Sequence, residues 1–188
     1  IGRLFLEKGD LNEAQEYYTR ALKVREMAYG QYSAQVAYSY RDLGYLEQQM
    51  GNRDSAQFLY QNCVQLLSID SIGGGEVNDG YLLDAQIMLA RFAMEGKQDR
   101  RFLDLIDAAQ AFSDTIFQRP SLYALALLGE YYCEQKQFPK ALEYFQSALT
   151  QARKENQVFD FHPIVGERLI EIADCQLKAN DNSRSLTT

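Results

Sequence analysis

The sequence predicts an all-α fold built from antiparallel helix pairs, and three observations carry that expectation. In Leu125–Ala148, Leu128-Gly129 is followed by Tyr132, then Ala141, Phe145 and Ala148, with Leu125 three before Leu128. Glycine and alanine at those offsets let two helices approach closely, while leucine and the aromatics fill the space around the contact. The same pattern recurs: Gly2 to Gly44, Gly9 to Gly51, Ala14 to Ala56 and Tyr18 to Tyr60 are each 42 residues apart. Proline, which interrupts helices, occurs only three times in 188 residues.

Residues 1–28 hold a partial copy that begins mid-motif, with Ile1-Gly2 in the Leu-Gly place and Phe5, Ala14, Tyr18 and Ala21 following in register. Gly9-Asp10 makes the turn, and Asp10 with Glu13 is expected to cap the second helix. The first helix lacks its N-terminal half, so the chain reads as a fragment of a longer protein. Residues 34–68 hold the second copy, with Tyr40, Leu43-Gly44, Gly51 at the turn, then Ala56, Tyr60 and Cys63. Glu47 stands where an aromatic is expected; either Leu46 beside it compensates or Glu47 lies at a solvated edge. The stretch from Glu26 to Ser33, after the second helix, gives the 42-residue period its length.

Residues 69–80, IDSIGGGEVNDG, interrupt the helical pattern and are expected to form a flexible inter-repeat loop. The triple glycine lacks the Gly-Lys-Ser/Thr ending and the preceding strand of a phosphate-binding loop. Residues 81–117 are expected to hold a degenerate third copy, its phase open by one turn. Here Met88-Leu89 takes the Leu-Gly place, Phe92 the aromatic and Gly96 the turn, with Arg101, Leu105 and Ala108 on the second helix. Residues 121–154 are the fourth copy, with Pro139 in the first turn of its second helix, where a missing N–H is tolerated. Residues 162–188 start a fifth: Leu169 precedes Ile172-Ala173, Asn180-Asp181 is the expected turn, and SRSLTT is expected to begin a second helix. The whole chain reads as one domain.

Composition excludes several function classes. A net charge of −7 argues against nucleic acid, because phosphate contacts need clustered Lys and Arg. No run of 18 apolar residues exists, so no membrane insertion is expected. Cys63, Cys133 and Cys175 are widely spaced with no CxxC, against a disulfide framework or a structural zinc site. Free thiols point to a reducing, cytoplasmic setting. His162 is the sole histidine, and neither Gly-x-Ser-x-Gly nor His-Glu-x-x-His occurs. No enzymatic activity, metal or cofactor is expected, and the oligomeric state is left open.

The repeat pattern resembles the tetratricopeptide (TPR) family. The 42-residue period and His162-Pro163-Ile164-Val165-Gly166, a match to the His-Pro-x-Val-Ala loop motif, resemble its kinesin-light-chain type. Val36-Ala37 stands at the same offset before Leu43, with Ser33-Ala34 in place of His-Pro. The fourth copy also resembles the helical regulatory domains of bacterial quorum-sensing proteins, which bind short peptides. The resemblance implies an alpha-alpha superhelix (TPR solenoid) whose first helices line a concave groove. Projected on this sequence, the groove positions are Arg3, Leu6 and Glu7 in the first repeat, and Tyr38, Arg41, Tyr45, Gln48 and Gln49 in the second. The third gives Leu83, Gln86, Ala90, Ala93 and Met94. The fourth gives Tyr123, Ala126, Glu130, Cys133 and Glu134; the fifth gives Glu167, Ile170, Asp174, Leu177 and Lys178.

Arg41 alone resembles a member of the carboxylate clamp of chaperone-binding TPR domains, and Tyr45 replaces the neighbouring Asn, so capture of a chaperone tail is not expected. The expected function is a protein-interaction scaffold holding a peptide or helical segment of a partner. The alternative is a ligand- or peptide-sensing regulatory domain of a larger signalling or transcription protein.

Overall fold

In the computed structural model the described residues are 1–68, 79–155 and 163–185, and among them there are nine α-helices and no strand. In chain order they are α1 (Gly2–Lys8), α2 (Leu11–Tyr29), α3 (Ala34–Gln49), α4 (Arg53–Leu67), α5 (Asp79–Glu95), α6 (Asp99–Ile116), α7 (Leu122–Glu134), α8 (Phe138–Glu155) and α9 (Pro163–Ser185). They fall into two compact units, Ile1–Leu105 and Ile106–Thr188.

In the first unit α1 pairs with α2 and α3 with α4. Both turns close in the same way. Gly9 N–H donates to the Leu6 carbonyl (3.0 Å) and Asp10 N–H to that of Phe5 (2.9 Å); Gly51 donates to Gln48 (3.0 Å) and Asn52 to Glu47 (2.9 Å). This double bond pattern needs a left-handed residue, and the glycines supply it at φ 83 and 79. Across each pair the glycine of the Leu-Gly place faces an aromatic ring: a Cβ would meet Tyr18 at 3.1 Å from Gly2, and Tyr60 at 3.1 Å from Gly44.

The third repeat makes the same turn, with Lys97 N–H donating to Met94 (2.9 Å) and Gln98 N–H to Ala93 (2.9 Å). Lys97, not Gly96, is the left-handed residue, at φ 55. These bonds set the repeat one residue later than expected. Leu89-Ala90 replaces Met88-Leu89, Ala93 takes the place assigned to Phe92, and Phe102, Ile106 and Ala109 replace Arg101, Leu105 and Ala108. Burial agrees, since Phe102, Ile106 and Ala109 are buried while Arg101 and Ala108 are exposed. Two features of the sequence hide this register. Gly96 sits one residue before the left-handed position, and side-chain volumes are exchanged, with Phe102 where other repeats have alanine and Ala93 where they have an aromatic.

Two polar expectations change. Asp10 is the N-cap of α2, but its side chain makes no capping hydrogen bond. At φ −80 and ψ 73 it is off the extended geometry from which a cap reaches back. Ser33, extended at φ −107 and ψ 155, does cap α3, its Oγ accepting from Val36 N–H. Glu47 is a clasp rather than a gap: it accepts from Gln15 Nε2 of α2 (2.8 Å) and from Asn52 Nδ2 of the turn (2.8 Å). Leu46 beside it is fully buried with Ala14 and Leu43. A second core gathers Val36, Ala56, Tyr60 and Cys63 with Ala85, Leu89 and Phe92 of α5. Arg53 fastens the start of α4 to the end of α5, bonding Glu95 (2.6 Å) and the Phe92 carbonyl (2.7 Å).

In the second unit α7 packs on α8 and α8 on α9. Leu122, Leu125 and Ala126 bury against Ala148, Leu149 and Ala152; nearer the turn, Cys133, Ala141, Phe145 and Cys175 form another cluster. The tightest contact of Gly129 is with the Phe145 ring, 2.6 Å from an added Cβ, rather than with Ala141 as expected. Lys136 closes this turn at φ 59. The expected turn at Asn180-Asp181 is absent, because α9 runs through to Ser185. Of the expected loop 69–80, Asp79 and Gly80 open α5; its remainder and His162 lie outside the described residues.

Candidate functional site

A cavity of about 840 Å³ opens in the first unit. It is lined by Arg3, Leu6 and Glu7 of α1, Gly9 of the turn, Leu11 and Tyr18 of α2, Arg41, Asp42, Tyr45 and Gln49 of α3, and Tyr81 of α5. The helical period accounts for the lining. Arg41, Tyr45 and Gln49 are successive i, i+4 positions on one face of α3, and Arg3 and Glu7 are the same pair on α1.

Charge in the cavity is largely satisfied internally. Arg3 pairs with Glu7 at 3.0 Å. Arg41 pairs with Asp42 at 3.1 Å and with Asp84 of α5, and its guanidinium lies 5.1 Å from the Tyr81 ring centre. Tyr81 is itself packed on Tyr38, ring centres 4.5 Å apart. Burial opposes the charge on Arg41, but the hydrogen bonds and charges of Asp84 and then Asp42 outweigh it and raise its pKa above the ordinary value. For Asp42 the balance runs the other way: burial raises its carboxyl despite the opposing pull of Arg41, Arg25 and Arg3. Asp84, whose side chain is 43% exposed against 22% for Asp42, is therefore the better-solvated counter-ion.

The structure brings six of the eight groove positions expected in the first two repeats to this cavity: Arg3, Leu6, Glu7, Arg41, Tyr45 and Gln49. Tyr38 lies behind Tyr81. Gln48 turns to the core, accepting from the Tyr60 hydroxyl at 3.2 Å. Tyr45 and Gln49 are exposed, and their polar tips make no hydrogen bond among the described residues. In the third repeat the register shift removes Ala90 and Ala93 from the groove into the core, and Asp84 takes the position that Tyr38 holds in the second. Sequence reasoning missed Tyr18, Asp42, Tyr81 and Asp84; the corrected register would have found Asp84. A neighbouring cavity of about 320 Å³ shares Arg3, Tyr18 and Asp42 and is bordered by Arg25, which donates to Ser39 Oγ at 2.6 Å.

In the second unit Tyr123, Glu130 and Glu134 lie along one side of α7 at helical spacing, and Asp174 is exposed on α9. Cys133, expected on the groove, is buried. Among the described residues there is no cluster of metal-ligating side chains, and no helix is long and apolar enough to cross a membrane.

Two tetratricopeptide repeat family models match the chain, one over residues 1–68 and one over 124–158, together more than half of it. No curated protein sequence matches. Among solved structures, the nearly identical TPR-like repeats of Podosopora anserina named for kinesin light chain are similar in fold. A glutamine-to-methionine variant of them gives a TM-score of 0.68 at 18% identity, covering 99% of this chain and 86% of that one. The form without that substitution gives 0.66 at 18% identity, covering 99% and 87%. TPR repeats generally mediate protein–protein interactions and are typically non-enzymatic. On its repeat pattern, its recurrent turns and these matches, the chain belongs to the tetratricopeptide repeat family, with the all-α solenoid fold of kinesin-light-chain-like repeats.

Proposed function

We propose that the chain is an interaction scaffold whose first unit holds a peptide segment of a partner protein in the cavity formed by α1, α2, α3 and α5. The observation that carries this is the convergence of Arg3, Leu6 and Glu7 with Arg41, Tyr45 and Gln49 around one cavity of about 840 Å³. That volume lies within the roughly 300–1,000 Å³ range of ligand sites. Tyr18, Tyr45 and Tyr81 supply contact area with hydrogen-bonding tips, a combination suited to recognition surfaces. Gln49 offers an amide that can pair with a peptide group. Because Arg3 and Arg41 are already paired, Tyr45 and Gln49 are the principal contacts, and an acidic ligand side chain must compete with Asp84 for Arg41. In the second unit Tyr123, Glu130, Glu134 and Asp174 form a separate acidic surface suited to a basic segment. The buried free thiols support a reducing, cytoplasmic setting.

The test is a peptide array followed by fluorescence anisotropy on the strongest hits. Tyr45→Ala and Gln49→Ala should each weaken binding by about tenfold, as expected for loss of a hot-spot contact, with helical content unchanged. Hits that bind both variants as well as the parent would place the site elsewhere.

A further inference from the structure

Cys133 of α7 and Cys175 of α9 occupy one buried cluster with Ala141 and Phe145 of α8. Both are free thiols. Helices α7 and α9 touch directly, so the pair bridges two elements that have α8 between them in the chain. A disulfide requires Cα atoms about 4.4–6.8 Å apart, so it can form only between cysteines on elements in direct contact. Cys63 provides an internal contrast: it is fully buried in the first unit, in a cluster with no second cysteine.

We propose that Cys133 and Cys175 are a modification site, an intramolecular disulfide pair that locks α9 onto α7 under oxidising conditions. The oxidant is a low-molecular-weight disulfide such as oxidised glutathione. The Cys133 thiolate attacks one sulfur of that disulfide, giving a mixed disulfide and releasing one glutathione thiolate. The Cys175 thiolate then attacks the Cys133 sulfur, forming the internal bond and releasing the second glutathione. The protein loses two protons and two electrons, and oxidised glutathione is reduced to two glutathiones.

Exposure assigns the order, since Cys133 is 8% exposed and Cys175 1%. Burial pushes the Cys175 thiol up to about 12, the neighbouring Cys133 acts in the same direction, and Lys178 opposes both. In the docked state little Cys175 thiolate is present and Cys133 is buried, so the reaction proceeds through transient opening of α9. The pair is thus silent in a reducing setting and is engaged by oxidation combined with undocking. Once formed, the bond would fix α9, and with it the exposed Asp174.

The experiment treats the full chain with oxidised glutathione, alkylates remaining thiols with iodoacetamide, and maps peptides without reduction. The expected result is a Cys133–Cys175 linked peptide with Cys63 unlinked, a raised melting temperature, slowed amide exchange in α9, and full reversal by dithiothreitol. Cys133→Ser should lose the linked peptide and the melting shift, and Cys63→Ser should keep both. Three free thiols after treatment, glutathione held stably on Cys133, or a link between chains or to Cys63 would each overturn the proposal.

Discussion

Replacing Gly129 with alanine places a Cβ 2.6 Å from Cδ1 and Cε1 of Phe145 and 2.9 Å from its Cγ. Ordinary contact begins near 3.4 Å, so α7 and α8 must part or the ring must turn. The ring has little freedom: Phe145 is 2% exposed and enclosed by Cys133, Ala141 and Cys175. Overpacking costs about 1–3 kcal/mol, and a 2.6 Å approach to an enclosed ring falls in the upper part of that range, about 2–3 kcal/mol. Alanine returns about 1 kcal/mol of helix propensity over glycine, so the net loss is about 1–2 kcal/mol. At Gly44 the same Cβ meets the Tyr60 ring at 3.1 Å, where a shift of a few tenths of an ångström suffices. There the two effects nearly cancel, leaving a change within about 0.5 kcal/mol. Denaturant unfolding followed by circular dichroism should rank Gly44→Ala near the parent and Gly129→Ala clearly below it. Combining Gly129→Ala with Phe145→Leu should be less damaging than the sum of the two, because removing the ring relieves the clash. A Gly129→Ala variant as stable as the parent would refute the packing argument.

Lys136 holds a left-handed backbone at φ 59, so Lys136→Gly should raise stability by about 0.5–1 kcal/mol in a thermal melt; a lower midpoint would contradict this. The buried Gln86 Oε1 has no hydrogen-bond partner among the described residues, so Gln86→Leu should stabilise by about 1 kcal/mol or more in denaturant unfolding. Burial pushes the Cys63 thiol from its ordinary 9.0 to about 12. A raised pKa contributes stability that is complete below about pH 9 and lost as pH rises toward 12. Cys63→Ala should therefore flatten the alkaline fall of the unfolding midpoint, and an unchanged slope would argue against it.

How much was legible in the sequence varied with the local signal. The first, second and fourth repeats were readable because Gly2, Gly44 and Gly129 each stand 16 residues before the aromatic that packs on them, Tyr18, Tyr60 and Phe145. The third was misplaced by one residue because Gly96 resembled the turn glycine while Lys97 adopted the left-handed conformation. The Asp10 cap failed because a capping pair in sequence does not fix the backbone angles that a cap requires. The turn expected at Asn180-Asp181 failed because polar residues permit a turn without enforcing one. The cavity was half legible: one helix face places Arg41, Tyr45 and Gln49 together, and helical spacing alone gives that. The ion pair of Arg41 with Asp84, 43 residues away, depends on how α5 meets α3 and on a register the sequence obscured.

The proposed peptide site is tested most directly by mapping amide chemical-shift changes as the strongest array peptide is titrated into the labelled chain. Binding in the cavity should perturb Leu6 and Glu7 of α1, Tyr45 and Gln49 of α3, and Tyr81 of α5, with the effects lost in Tyr45→Ala. Perturbations confined to α4, or to the second unit, would contradict it.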